Sequence, residues 1–459
     1  MTALPFPYRF SQTIQFDPEG ALFNALQLRG RWWLPSSAHT EGIPGLLRYE
    51  PGTRITLALE GLLEATPHFR KYDSLIGYCP DSGPVLLVGS YERRKSFGTD
   101  QASELSAKCA ILYPKLATEN LAAASFASCR VRFQGLEPWV SRGAVRIQAL
   151  EPLVSRSAAP NKDEQPGVLY NPPEAGSYHI APSACTFKLV NDFLVNASPW
   201  SADFRHRFFF EICPDAPMGL SQFMDQIRAL HCLFVLLAGQ PLPIDEANIE
   251  IPDCISLPGE NQRCADTGML LFPQELPRHP EVLGPDLLLT LPRIGDFGAL
   301  LSTWCAGKYE QLTHVLSLLL AFWNFRGSTP DVPFVLLTRA LEGYHRTHRA
   351  GAYIPAHDYK KLAKAYRTWL SKQAVSEGLK QSLRVRFQYG NEYSQQERLN
   401  DLCESIPGPL LTLITHDHKA FVKKVVHTRN ALTHLENPPS RQELTDRSRF
   451  LSRANWQLV

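Results

Sequence analysis

The sequence predicts an α+β multidomain protein: a β-rich N-terminal region shaped as a sandwich or barrel, a second α+β lobe, and a C-terminal α-helical bundle. Three observations carry this. The chain has 459 residues, more than one typical core holds. Its hydrophobic pattern changes from short β-type runs to a helical period near Ile294. Its charge is divided: residues 330–459 carry 20 Lys plus Arg against 12 Asp plus Glu, a balance of +8, while the preceding residues carry 27 against 33, a balance of −6. The expected segments are 1–155, 177–292 and 294–459.

In the first segment, alternating or β-rich runs fall at 13–16, 54–59, 85–88, 110–113 and 144–150, separated by turn signals such as Glu50-Pro51-Gly52 and Ser141-Arg142-Gly143. No phosphate loop, Rossmann glycine pattern or metal-ligand cluster occurs there. Trp32, Trp33 and Trp139 read as core or edge packing and not as a base-stacking platform. A polar, proline-bearing stretch at 155–176 reads as a loop or linker. The second lobe has expected strands at 178–179, 204–212 and 249–251 and a helix at 221–238. From Ile294 on, helices are expected at 334–347, 359–372, 375–389, 394–404 and 419–436, with a last one after Ser440.

Composition narrows the function classes. Hydrophobic residues at 44% and charged residues at 20% describe an ordinary soluble globular protein. The N-terminus shows no basic leader, apolar run or cleavage site, and the longest apolar runs are too short to span a bilayer, so a cytoplasmic protein without a membrane anchor is expected. Ten cysteines without a C-x-x-C pair are then reduced thiols. Cys254 and Cys264, with His231 or Cys232, are the one conceivable zinc set, and their spacing matches no standard structural site. No cofactor or metal is therefore expected. The basic C-terminal segment suits a polyanionic partner, and the acidic N-terminal part is suited to dock on it or shield it.

The chemistry concentrates in residues 421–435, FVKKVVHTRNALTHL, whose apolar positions fit one face of a helix. Within it stands Arg429-Asn430-x-x-x-His434. Asn430 and His434 are i,i+4 neighbours on one face, and Arg429, pointing to the side, is long enough to reach round. A guanidinium fork, a proton carrier near neutral pH and an orienting amide converge on one anion, an outfit for breaking a phosphodiester. Pro438-Pro439 follow closely, so the motif should lie near a helix C-terminus, where the dipole favours a protonated His434.

Arg429-Asn430-x-x-x-His434 resembles the signature of HEPN ribonucleases. Together with PFVLLTRALEGYHR at 333–346 and LRVRFQYGNEYSQQERLNDL at 383–402, the helix resembles the landmark helices of ApeA-type HEPN domains, a family of bacterial anti-phage defence proteins. The likeness is most specific over the last 130 or so residues; the β-rich half is similar in pattern to the ApeA N-terminal domain. It implies a metal-independent endoribonuclease with Arg429, Asn430 and His434 catalytic, RNA (plausibly transfer RNA) as substrate, a phage protein as trigger, abortive infection as role, and a homodimer or higher homo-oligomer as active form. Glu342 and Arg398 match recurrent positions outside the motif and are expected to be structural, joined in an ion pair or cap between helices. His427, seven residues before His434, shares its face and either assists substrate binding or is partly buried. The rival reading is a non-catalytic HEPN-like module that dimerises or binds nucleic acid in a phage-sensing protein.

Overall fold

The structure is a computed structural model and describes residues 21–37, 42–97, 101–112, 125–140, 145–147, 168–170, 176–198, 201–251, 266–274, 287–325, 327, 329–434, 443–445, 447–448 and 451. The chain divides into two compact units, Met1–Ala306 and Gly307–Val459.

The first unit begins with a closed antiparallel barrel. Its strands are β1 (Leu26–Trp33), β2 (Ile43–Glu50), β3 (Arg54–Leu59), β4 (Lys71–Cys79), β5 (Gly83–Ser96) and β6 (Ala102–Ala107). They pair in the circular order β1-β2-β3-β6-β5-β4, so no edge is left open. Alternate side chains fill the inside: Leu28, Trp32, Leu47, Tyr49, Ile55, Leu57 and Leu75 are all buried. Trp32 lies over Gly77, its partner across β1 and β4; a Cβ at Gly77 would stand 2.4 Å from the indole ring, so only glycine admits it. Trp33 and Trp139 are buried as well, in keeping with the packing role expected of them.

The unusually long β5 belongs to two sheets. Its first half pairs with β7 (Cys109–Leu112) and its second half with β6. Gly89, with φ at +65°, sits where the strand changes partner. From β7 the sheet continues through β15 (Asp266–Leu271), β14 (Ile244–Ile251), β8 (Ser128–Phe133), β13 (Ser201–Pro214), β12 (Cys185–Ser198) and β11 (Ser177–Ile180), all antiparallel. A separate pair joins β9 (Val145–Ile147) to β10 (Val168–Tyr170). β8, from the first expected segment, is hydrogen-bonded on both sides to β13 and β14 from the second. The two N-terminal segments thus share one run of strands, because the register that buries Cys129, Val131 and Phe133 is completed by later strands.

Helices α1 (Leu136–Val140), α2 (Leu220–Ala238) and α3 (Phe297–Thr303) supply an aromatic cluster to this unit. Phe234 lies 5.1 Å from Phe133, 5.0 Å from Phe210 and 4.6 Å from Trp139, which is 5.3 Å from Phe297. The charges beside it are internally matched. Arg132 pairs with Asp245 and with Glu137 at 3.1 Å, Arg207 pairs with Glu246, and Arg130 reaches Glu211 at 2.8 Å. Burial pushes the Asp245 carboxyl up to about 7 in spite of Arg132.

The second unit is helical: α4 (Tyr309–Trp323), α5 (Asp331–His348), α6 (Ala356–Ser371), α7 (Glu377–Gln388), α8 (Gln395–Ser405), α9 (Gly408–Ile414) and α10 (His418–His434), with helical residues again at 443–445, 447–448 and 451. Serine caps start two of them: Ser376 Oγ accepts from Leu379 N–H at 3.3 Å and Ser394 Oγ from Glu397 N–H at 3.2 Å. Leu312, Val315, Leu316 and Leu319 of α4, Phe334, Leu337 and Leu341 of α5, Leu399 and Leu402 of α8, and Val422 and Val425 of α10 are buried. Helix α9 was not anticipated, since Pro407-Gly408-Pro409 reads as a break; proline in the first turn, where N–H groups have no helical partner, starts the helix instead. The expected strand at 13–16 and the stretch 155–167 lie outside the described residues.

Candidate active site

Helix α10 is set in place by its ends and by one stripe of side chains. Asp417 Oδ1 accepts from Ala420 N–H at 3.0 Å, an N-cap that starts the helix. Val422, Val425, Thr428 and Ala431 recur every three residues and are buried. Val422 and Val425 meet Leu341, Leu399, Leu402 and Cys403 around one small crevice. Thr428 Oγ1 donates to Lys424 O at 2.7 Å and accepts from Arg447, whose other nitrogen lies 3.4 Å from Glu443 Oε1, so the C-terminal segment clamps the middle of the helix.

With that stripe turned inward, Arg429 and Asn430 fall on the outer side. Asn430 is exposed and Arg429 half-buried, and the Arg429 guanidinium donates to Asn430 Oδ1 at 3.1 Å. That bond joins the fork and the amide while leaving the remaining donors of Arg429 open to an anion. His434 is the last described residue of the helix, and its side chain lies outside the described residues, as do Pro438 and Pro439. His427 is exposed, not partly buried. Immediately after Asn430, Ala431 and Leu432 line an open groove of about 340 Å³ with Val332, Val335, Leu336 and Arg339 of α5. The groove is of ligand-pocket size and mostly apolar, with Asp331 and Arg339 as its charged lining.

Behind the site stands a buried polar network that the sequence gave little sign of. Arg398 is almost fully enclosed; its Nε donates to Tyr393 O at 3.1 Å and its Nη1 to His345 Nδ1 at 3.1 Å, while Nη2 lies 3.4 Å from Glu392 Oε2. The expected link between Glu342 and Arg398 is indirect: Glu342 pairs with Arg346 at 3.1 Å, and Arg346 shares Glu392 with Arg398 at 2.9 Å. His345 is fully buried, and desolvation, then Arg398, hold its imidazole below the usual range. Its Nδ1 therefore accepts and its Nε2 carries the proton, 3.2 Å from Asp401 Oδ2. This network ties α5 to α8, the two helices that receive Val422 and Val425. From the sequence, Glu342 and Arg398 are expected to be structural, whereas His345, Glu392 and Asp401 are not singled out.

Cys254 and Cys264 lie outside the described residues. His231 stacks on Phe133 and its Nε2 is 2.6 Å from Leu242 O, and Cys232 is buried, so both have packing roles in α2. Among the described residues no group of three His, Cys, Asp or Glu side chains is placed to hold a metal ion, and no helix is long and apolar enough to cross a membrane.

Comparison with known proteins agrees with the two-unit division. No curated protein and no solved structure gives a significant match. Residues 27–304 match the family model for ApeA N-terminal domain 1, and residues 335–452 match that for the Apea-like HEPN domain, the region that holds α5 through α10. HEPN domains are as a class mostly ribonucleases, and this chain, with a closed barrel and its extended sheet leading into the HEPN helices, belongs to the ApeA-type HEPN family.

Proposed function

We propose that the protein is a metal-independent endoribonuclease of anti-phage defence, acting in the cytoplasm by abortive infection, with Arg429, Asn430 and His434 as its catalytic residues. The observation that carries this is the arrangement on α10: the buried stripe fixes the helix, and the half-buried Arg429 fork, bonded to Asn430, is left on the open side one turn before His434. The substrate's own 2′-hydroxyl attacks the adjacent phosphorus. The P–O2′ bond forms, the P–O5′ bond breaks, the 2′ proton passes to a base and the leaving 5′ oxygen takes up a proton, with His434 as general base or acid. Arg429 stabilises the charged phosphorane and Asn430 positions the reacting groups. The products are a 2′,3′-cyclic phosphate and a 5′-hydroxyl end.

Two copies of the motif lining one cleft would complete the site, so the active form is a homodimer or higher homo-oligomer. The N-terminal unit restrains the nuclease until a phage component binds one state preferentially. The decisive experiment is cleavage of RNA, transfer RNA included, in excess EDTA by wild type and His434→Ala. Persisting cleavage with cyclic phosphate ends, absent in the variant, is expected. Chelator-sensitive cleavage or 5′-phosphate ends would overturn the mechanism, and toxicity equal in both proteins would favour a non-catalytic dimerising or nucleic-acid-binding module. Sedimentation giving a fully active monomer would remove the composite cleft.

A further inference from the structure

The surplus charge of the helical unit is not spread over it. Residues 356–389, which contain α6 and α7, hold eight Lys and Arg against Asp358 and Glu377, so +6 of the +8 carried by residues 330–459 sits in this one hairpin. The hairpin is scarcely part of the core: α7 has no buried residue, and α6 buries only Ala363 and Leu370. Lys380 pairs with Glu377 at 2.8 Å and Lys361 approaches Asp358 at 3.8 Å. Among the described residues, Lys360, Lys364, Arg367, Lys372 and Arg386 have no carboxylate partner.

What holds α6 to α7 is a row of stacked aromatic rings. Tyr359 stacks on Phe387 at 5.5 Å and 15°, Phe387 on Tyr366 at 4.1 Å and 18°, and Tyr366 on Trp369 at 5.8 Å and 28°. The row ends on Trp369, which is 55% exposed. An indole left in water at the end of a ring stack costs hydrophobic free energy, and another flat π-face is the partner that would cover it. Lys372, just past the end of α6, and Lys361 stand about 60° and 80° round the helix axis from Trp369, whereas Lys364 and Arg367 stand on its far side.

We propose that the α6–α7 hairpin is a binding arm for single-stranded RNA, with an unpaired base stacking on Trp369 and the phosphates passing Lys361 and Lys372, the cations on the Trp369 side of α6. This deepens the nuclease assignment and rests on it only for the identity of the polyanion. Single strands are favoured over duplexes because a paired base hides both of its faces. A membrane surface is the rival that the test separates, since Leu362 and Trp369 share one face of α6 whereas Leu379 and Val385 of α7 point well away from each other.

The test uses the full-length chain carrying His434→Ala, so that RNA is bound but not cut, and a labelled, unstructured single-stranded RNA followed by fluorescence anisotropy. Trp369→Ala should weaken binding at least about fivefold and Trp369→Phe much less, since the phenyl ring keeps a stacking face. Combined K361E and K372E should also weaken it and lower the salt slope by about 1.4, at roughly 0.7 per phosphate contact. Far-ultraviolet circular dichroism and melting temperature should be unchanged in all three. Binding that is insensitive to Trp369→Ala and to the charge reversals overturns the arm. So does a loss confined to vesicles of phosphatidylserine and phosphatidylcholine, or a change in sedimentation with RNA affinity intact, which would make the surface a membrane or self-association face. The outcomes for the arm and for the nuclease separate. If Trp369→Ala abolishes binding in a protein whose parent cuts no RNA, the arm stands and the nuclease falls; unchanged binding in a protein whose parent does cut RNA gives the reverse.

Discussion

The sheet around Arg132 and the α6–α7 hairpin treat their cations in opposite ways. In the barrel and extended sheet, Arg132, Arg207 and Arg130 are matched one by one to Asp245, Glu137, Glu246 and Glu211. Lys95 is completely enclosed and held by Glu92 at 2.9 Å. In the helical hairpin, Lys364, Arg367 and Lys372 stand in solvent without carboxylates. Three tryptophans show the same contrast, with Trp32 and Trp139 at 0% exposure and Trp369 at 55%. Charges and rings satisfied within a unit hold that unit together, whereas those left open are available to something else. Arg429 lies between the extremes: it is half-buried, and among the described residues its guanidinium bonds to its neighbour Asn430 at 3.1 Å.

The comparison breaks first if the matched cations prove dispensable. Arg132→Ala leaves Asp245 and Glu137 without their partner in a largely buried site and should cost the first unit about 3–5 kcal/mol, read from denaturant unfolding followed by tryptophan fluorescence. A loss under about 1 kcal/mol would show that the network is decoration. For the intermediate case, Arg429→Ala should lower RNA cleavage by at least about a hundredfold, roughly 2.7 kcal/mol of transition-state stabilisation, with little change in melting temperature. Arg429→Lys should rescue poorly, because a point charge does not replace a planar fork. A fully active alanine variant would remove Arg429 from the chemistry.

A third measurement sharpens the contrast inside the helical unit, where the polar network at His345 is buried. The folded-state pKa of His345 is held below its ordinary 6.5, so below that pH the unfolded chain takes up a proton that the folded chain refuses. Stability present above pH 6.5 should therefore drain away as the pH falls through and below it. His345→Gln, which cannot titrate, should flatten that dependence in thermal melts between neutral and mildly acidic pH. The smallest effect is expected at the hairpin: Lys364→Ala, Arg367→Ala and Lys372→Ala should each change stability by no more than about 0.5 kcal/mol, since none has a partner to lose. A larger loss would mean that these side chains serve the fold.

Much of the fold was legible where one periodicity dominated a segment. Strand β3 falls at the expected 54–59, and α2 begins one residue before the expected 221–238, because each presents an uninterrupted pattern to one buried face. β1 and β2 were missed. Gly30 lies within one and Pro44-Gly45 within the other, and such residues read as breaks unless the partner strand that tolerates them is known. β6, Ala-Ser-Glu-Leu-Ser-Ala, has almost no hydrophobic signature, and closing the barrel between β3 and β5 is what makes it a strand. Arg429 and Asn430 were visible as a motif because helix geometry alone relates neighbours one and four residues apart. Arg398 was not recognisable as a buried hub, since His345 lies 53 residues away from it in sequence.

By itself, the sequence determined the β-then-α order, the helix bearing Arg429, Asn430 and His434, and the surplus of positive charge toward the C-terminus. These are local or additive properties, set by periodicity, by side-chain spacing on one helix and by counting. The tertiary structure decided which strands close on one another, which face of α10 is covered, and where the positive charge stands. Tyr359, Tyr366 and Trp369 recur at seven- and three-residue steps, a pattern that reads as a buried stripe. Only the placement of α7 against α6 shows that the row is half-buried at Tyr359, Phe387 and Tyr366 and open at Trp369, because burial depends on what packs against a helix and not on the helix alone.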